Sequence, residues 1–141
     1  MAGDKLAEEL VIVHYFREKY EAFPKGKLIK SESPDFILKQ SPKRQTGIEI
    51  SRLDYLLDEG SCEEVFSYQL KELIRRKGEK LRLYRKKRLN EYWLVITIDS
   101  CEKITGDERE REKLQASFAG SSFDKVFLFD LFSAEIIKLN G

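Results

Sequence analysis

Two acidic residues lie on neighbouring predicted strands, and their spacing would let them hold one divalent metal ion. Asp35 opens one β-prone stretch and Glu49 lies within the next. With a hairpin turn near Lys43, residue 35 falls roughly opposite Ser51, and Glu49 is one diagonal step away on the same face, about 7 Å between backbones. Carboxylate oxygens are the ligands that hard divalent cations prefer. The alternative interpretation is two solvated acids on an exposed sheet face.

A third acid, Glu9, is predicted on the first helix, residues 4–22. The apolar stripe of that helix is formed by Leu6, Leu10, Val13, Phe16 and Tyr20. At 100° per residue Glu9 lies in the middle of this stripe, whereas Glu8 lies about 100° away from it. A carboxylate among apolar side chains is costly unless it has a partner. The alternative is that Glu9 is close enough to the helix start for burial to fade and for the helix dipole to favour an acid.

A second helix, residues 61–87, places a lysine where an apolar residue is expected. Its stripe consists of Phe66, Leu70, Leu73, Ile74, Leu81 and Tyr84. Lys77 falls about 20° from the centre of that stripe. Either its stem covers apolar surface while its ammonium reaches water, or the ammonium points at the acid pair across the helix–sheet interface. Gly78 costs the helix about 1 kcal/mol relative to Ala, and a break there would weaken both interpretations.

The end of the second helix and the residues after it are strongly basic. The run comprises Arg75, Arg76, Lys77, Lys80, Arg82, Arg85, Lys86, Lys87 and Arg88, and most of the balancing acids lie elsewhere in the chain. Such a helix can follow a phosphate backbone. We therefore take Lys80, Arg82, Arg85 and Lys86 as candidate nucleic-acid contacts, with an ordinary solvated helix face as the alternative.

The remaining elements form the framework that would position these residues. Three β-prone stretches are predicted to make an antiparallel meander, a fourth to lie centrally, and a polar helix and two strands to follow. Their ranges are 27–31, 35–39, 46–53, 93–99, 105–118, 125–132 and 135–139. Ile48 and Ile50 should point away from Glu49, because side chains alternate along a strand. The predicted order is α-β-β-β-α-β, then α-β-β.

Composition limits the class of protein without choosing a function. The chain has 141 residues, enough for one domain, and 26 basic residues against 25 acidic ones give a net charge of +1, which neither requires nor excludes a nucleic-acid partner. Cys62 and Cys101 form no disulfide framework and no zinc motif. No secretory signal and no membrane-spanning run is recognisable, so the expected location is the cytoplasm.

These features together resemble the PD-(D/E)XK phosphodiesterase superfamily, which includes restriction enzymes and Holliday-junction resolvases. Pro34-Asp35 stands where the family has PD, Glu49-Ile50-Ser51 stands where it has (D/E)XK, and Glu9 matches an acid that many members carry on the first helix. The resemblance covers roughly residues 4–99. It implies an α/β restriction-endonuclease-like core, with a mixed central sheet flanked by helices, in a single domain over residues 1–141 with an added C-terminal helix and two strands.

The resemblance also implies a site and an activity. Asp35 and Glu49 would coordinate Mg²⁺ or Mn²⁺, with the Ile50 carbonyl as a further oxygen ligand. Glu9 would bind through water or hold a second ion, and Lys77 would orient or deprotonate the attacking water. The implied reaction is hydrolysis of phosphodiester bonds in nucleic acid, DNA more than RNA.

Ser51 departs from the family pattern, which usually has lysine at this position. Some members carry the lysine on the following helix, where Lys77 lies. Others have lost activity and keep the fold to bind nucleic acid or a protein. A third interpretation is a scaffold or immunity-type protein whose partner covers the basic helix, and a homodimer is also compatible with the sequence.

Overall fold

The described part of the chain forms two helices and six strands. The computed structural model describes residues 2–32, 34–53, 63–84, 89–98, 112, 115 and 122–140. The elements are α1 (Ala2–Lys19), β1 (Lys27–Lys30), β2 (Phe36–Ser41), β3 (Arg44–Arg52), α2 (Glu63–Tyr84), β4 (Glu91–Ile98), β5 (Lys125–Asp130) and β6 (Ile136–Asn140). The elements follow one another in the predicted order, except that the predicted helix 105–118 lies outside the described residues apart from Glu112 and Gln115.

The six strands form one mixed sheet in the order in which they occur in the chain. β1, β2 and β3 pair antiparallel, as the predicted meander requires. β3, β4 and β5 are parallel, and β6 returns antiparallel to β5. The protein is therefore of the α/β class, and β4 is central, with a neighbour on each side.

The two helices cover opposite faces of the sheet, because side chains alternate along each strand. One apolar cluster contains α1 residues with Trp93 and Val95 of β4. The other contains α2 residues with Leu94 and Ile96 of the same strand. Burial on both faces accounts for the continuous apolar run in β4 that predicted a central strand.

The buried line of α1 differs from the predicted stripe. Val13 and Phe16 are buried as expected, and Glu9 is buried with them. Leu6 and Leu10, predicted to be in the stripe, are instead exposed. The helix therefore buries the line that passes through Glu9, and the two leucines lie at its margin near the amino end.

The β2–β3 hairpin is tighter than predicted, and its register is different. The polar segment 40–45, predicted to be a connection, lies mostly within the strands, with a two-residue turn at Pro42 and Lys43. Phe36 pairs with Ile48, and the register shifts at a bulge between Lys39 and Ser41. The predicted pairing of residue 35 with residue 51 is therefore wrong by two residues. One comes from the turn, which is centred between Pro42 and Lys43, and one from the bulge, which adds a residue to β2.

Helix α2 is continuous through Gly78, so the predicted break does not occur. A Cβ atom at this position would lie 3.5 Å from the Ser122 hydroxyl oxygen, an ordinary contact. The Gly78→Ala variant is therefore expected to stabilise the domain by about 1 kcal/mol, raising Tm by about 2 to 4 °C. Thermal unfolding followed by circular dichroism measures this, and an unchanged or lower Tm would show that Gly78 is required for packing.

Candidate functional site

Asp35 and Glu49 lie side by side on the sheet face that α2 covers. Phe36 of β2 pairs with Ile48 of β3, and continuing that register by one residue sets Asp35 directly opposite Glu49. Directly opposed residues have Cβ atoms about 4.5 to 5.5 Å apart, closer than the diagonal step that the sequence predicted. Both carboxylates are largely buried. Ile48 and Ile50 pack in the α1 cluster on the other face, as predicted.

The Asp35 carboxylate is fixed by the backbone of β3. Its Oδ2 accepts the Ile50 N–H at 2.8 Å. This bond replaces the backbone hydrogen bond that Ile50 would make to β2 if that strand extended further toward its amino end. The backbone carbonyl of Asp35 accepts the Ser31 N–H at 2.8 Å, which ties the segment to the end of β1. The orientation of this carboxylate is therefore set by two strands.

Gly47 lets Pro34 pack directly against β3, immediately before Asp35. A Cβ atom at Gly47 would lie 2.7 Å from Pro34 Cγ and 2.7 Å from Leu89 Cδ1. Real Cβ atoms do not approach so closely, so the missing side chain is what makes room for the proline ring. The Pro34-Asp35 dipeptide is thus held by packing as well as by hydrogen bonds.

The backbone carbonyl of Ile50 faces the same side of β3 as its N–H. In an extended strand the N–H and C=O of one residue point to the same neighbouring strand. Because the Ile50 N–H is bonded to Asp35, the carbonyl is directed toward the region where β2 has not yet begun. Two carboxylates and one carbonyl therefore surround the start of β2.

Lys77 reaches the acid pair from α2, in the direction that its helical angle predicted. Its Nζ lies 3.7 Å from Glu49 Oε1, and both side chains are largely shielded from solvent. Of the two interpretations of this lysine, the geometry agrees with an ammonium at the helix–sheet interface. A positive charge is thereby set beside two negative ones.

An open depression of about 550 Å³ lies between β3 and α2, beside Lys77. Ser51 contributes to its floor, and Arg76 and Lys80 contribute to its wall. At 100° per residue, both basic residues are on one side of Lys77, whereas Arg82 is about 140° away on the other flank. Arg82, exposed on that flank, therefore does not border the depression, and Arg85 and Lys86 lie outside the described residues.

Arg75, another member of the basic run, is engaged along the helix itself. It pairs with Glu72 at i−3 and with Glu79 at i+4. The hydrogen bond from Arg75 lowers the pKa of the Glu72 carboxyl. Both partners are exposed, so the pairs add little stability, but they balance the Arg75 charge locally.

Glu9 is on the other side of the sheet from the acid pair. Its Oε2 lies 3.1 Å from Nζ of Lys30, and that ammonium lies 5.0 Å from the centre of the Phe36 ring, which packs in the α1 cluster. Among the described residues no three acidic, histidine or cysteine side chains come together as a metal site. The structure therefore brings Asp35, Glu49 and Lys77 together, and it pairs Glu9 with Lys30.

Sequence reasoning missed Lys30. Lys30 lies at the end of a short edge strand, and the only signal for it in the sequence is that a buried Glu9 needs a partner. To identify Lys30 as the partner of Glu9 one must know the register between β1 and β2, and the sequence does not specify that register.

The hydrogen bond to Ile50 makes Asp35 a structural as well as a candidate functional residue. The free energy of unfolding of the Asp35→Ala variant is expected to be about 1 to 3 kcal/mol lower than that of the wild type, because the buried Ile50 N–H loses its acceptor. The Asp35→Asn variant keeps an acceptor oxygen and should lose clearly less. Urea denaturation of the two variants measures the difference; equal stability would mean that Ile50 finds another partner.

Comparison with known proteins adds no relative to this picture. No family model matches the chain, and no curated protein and no solved structure matches it either. The site must therefore be judged from its own geometry. Neither described helix is long and apolar enough to cross a membrane.

Proposed function

We propose that this protein is a metal-dependent phosphodiesterase of the PD-(D/E)XK kind that cleaves nucleic acid, with DNA preferred to RNA. The observation that carries the proposal is the convergence of Asp35, Glu49 and Lys77 at the interface of β2, β3 and α2. Two adjacent buried carboxylates repel each other and carry a desolvation cost. A bound cation would offset that cost, so adjacent buried carboxylates are typical of a cation-binding site.

The proposed fold assignment is a restriction-endonuclease-like core. It is supported by the element order α-β-β-β-α-β over residues 2–98 and by helices on both faces of a mixed sheet. Pro34-Asp35 comes directly before β2 and Glu49 lies on β3, so the residues of the two motifs lie next to each other. The coincidence of motif and topology is more specific than either alone.

The donor atoms at this position fit Mg²⁺ or Mn²⁺. The candidate ligands are Asp35 Oδ1, a Glu49 carboxylate oxygen and the Ile50 carbonyl oxygen, all hard oxygen donors of the type these cations bind. Asp35 Oδ2 already accepts the Ile50 N–H, which leaves the other oxygen for the ion. When bound, such an ion supplies a Lewis acid for the phosphoryl oxygen and a means of activating water.

The residues of the chain itself have distinct roles in the proposed reaction. Lys77 Nζ orients the attacking water or offsets negative charge that develops on phosphate. Lys80 and Arg76, on the wall of the depression, hold neighbouring phosphates. Glu9, paired with Lys30, ties the middle of α1 to the end of β1 and is not assigned to the ion.

A second candidate function is a catalytically inactive module of the same fold that binds nucleic acid or a protein. Two observations favour it. Ser51 offers no ammonium in the motif position, and the Lys77 ammonium already balances the charge of Glu49. A site neutralised from within needs a metal less than an unpaired one does.

Cleavage and binding assays separate the two candidates. Labelled single-stranded and duplex DNA and RNA are incubated with the protein in Mg²⁺, Mn²⁺ or EDTA, and anisotropy is followed across a salt series. Metal-dependent products, absent in EDTA, are the expected result. Salt-dependent binding without cleavage in any metal would establish the inactive module, and no binding at all would favour a scaffold that a protein partner covers.

A further inference from the structure

Part of the sheet face that carries the acid pair has no helix over it among the described residues. The apolar residues of α2 pack against β4, β5 and β6. On β1 and β2 the residues of this face are Lys27, Ile29, Ile37 and Lys39, and their exposure rises away from the acid pair. Ile29 and Ile37 are half-buried, and the two lysines are exposed.

Two of these residues are like charges held against each other. Lys27 pairs directly with Lys39 across β1 and β2, an arrangement that destabilises a sheet when nothing compensates it. In the region that the structure describes, neither lysine forms an ion pair. Lys25 and Lys43, also exposed, add positive charge at the same end of the hairpin.

Protection against aggregation explains only one of the two lysines. Lysine on an edge strand discourages pairing with another chain, and Lys27 is on β1, the edge of the sheet. Lys39 is on β2, which is paired on both sides, with Lys27 and with Gln45. An interior strand has no free edge to protect, so Lys39 needs another explanation.

The lysine pair is aligned with the acid pair along one strand. Lys39 follows Asp35 by four residues on β2, so the two lie on the same face about 13 Å apart, at about 3.3 Å per residue. About four nucleotide steps of a duplex strand, at 3.4 Å each, cover that distance. The half-buried isoleucine pair between them offers apolar surface to sugars or bases.

We propose that Lys27 and Lys39 hold the phosphates of a nucleic-acid strand that crosses the face of β1 and β2, which no described helix covers, on its way to the Asp35–Glu49 site. The inference rests on the proposed function for the direction in which the nucleic-acid strand runs. It adds a second basic surface, on the side of the acid pair opposite Lys80. The outer flank of α2, with Lys71 and Arg82, is then not the contact surface.

The test compares two double variants that lose the same charge. Lys27→Gln with Lys39→Gln removes the hairpin lysines, and Lys71→Gln with Arg82→Gln removes two exposed cations from the outer flank of α2. Binding of a labelled 20-nucleotide DNA is followed by anisotropy in EDTA, so that no cleavage occurs. Removing two phosphate contacts should weaken binding by about tenfold or more and lower the salt slope by about 1.4 to 1.8, whereas the flank variant should match the wild type.

Hydrolysis of a small substrate separates this inference from the proposed function. Bis(p-nitrophenyl) phosphate in Mn²⁺ is too small to reach Lys39, so the hairpin variant should hydrolyse it at the wild-type rate while its KM for DNA rises. If the wild-type protein binds DNA through the hairpin but hydrolyses neither substrate, the proposed binding surface is supported and the proposed phosphodiesterase activity is rejected. Equal loss of binding in both double variants, no loss in the hairpin variant, or a wild type that binds no oligonucleotide would overturn the inference.

Discussion

The Glu49→Gln variant is expected to lose metal-dependent cleavage by about a thousandfold or more, equivalent to about 4 kcal/mol of transition-state stabilisation. Glutamine has nearly the same shape and can still pack beneath α2, but it lacks the charge that a divalent ion requires. Asp35→Asn should act similarly, because it keeps an acceptor for the Ile50 N–H and loses the negative charge.

Single-turnover cleavage of DNA in Mn²⁺ measures this loss directly. Glu18→Gln is the matched control, because Glu18 is an exposed acid on α1 and loses the same charge away from the site. Thermal unfolding should show both glutamine variants folded. Cleavage within tenfold of the wild type in a folded Glu49→Gln protein would remove this carboxylate from the mechanism.

The Lys77→Met variant is expected to separate metal binding from chemistry. Methionine fills the volume of the lysine stem, so the apolar contacts of α2 should persist. Loss of the ammonium should lower kcat roughly a hundredfold to a thousandfold. Mn²⁺ affinity should rise, because the ammonium lies 3.7 Å from Glu49 Oε1 and opposes a second positive charge there.

The two readouts must move in opposite directions for Lys77 to have the proposed role. Lys71→Met is the control, an exposed lysine on the outer flank of the same helix. If Lys77→Met weakens Mn²⁺ binding and catalysis together, the lysine is a structural support for Glu49. If neither changes, its proximity to the acid pair is incidental to function.

Periodicity predicted much of what positions the site. The continuous apolar run of β4 marked a central strand, and its two faces are buried by different helices. The angle of Lys77 on α2 left two interpretations open, and the ion pair with Glu49 agrees with the one in which the ammonium lies at the helix–sheet interface. The angle of Glu9 likewise left two interpretations open, and the buried side chain agrees with a position within the apolar stripe.

Register and long-range partners were beyond the sequence. The position of the turn and the bulge between Lys39 and Ser41 each shift the register by one residue, so that Asp35 lies beside Glu49 and not beside Ser51. No local propensity marks where one extra residue enters a strand. The partner of Glu9, Lys30, is 21 residues away and depends on how α1 crosses β1. Such pairings follow from tertiary packing rather than from local periodicity.

The distribution of charge on the surface could also be read only from the folded structure. The sequence placed the positive charge on α2 alone, as one basic run. The structure divides the described part of that run, residues 75–82, between two flanks of the helix. It also adds Lys27 and Lys39, which are 12 residues apart in sequence but adjacent across two strands. Strand pairing brings together charges that composition shows only as an even balance.

The most direct test of the central claim is isothermal titration of the folded protein with Mn²⁺, in the presence of a non-hydrolysable phosphorothioate oligonucleotide. The wild type is compared with the Asp35→Asn, Glu49→Gln double variant. Once the Mn²⁺ bound by the oligonucleotide alone is subtracted, we predict one saturable Mn²⁺ site in the wild type and none in the double variant. Equal Mn²⁺ binding by both proteins, or binding by neither with the oligonucleotide bound, would contradict a metal site at Asp35 and Glu49.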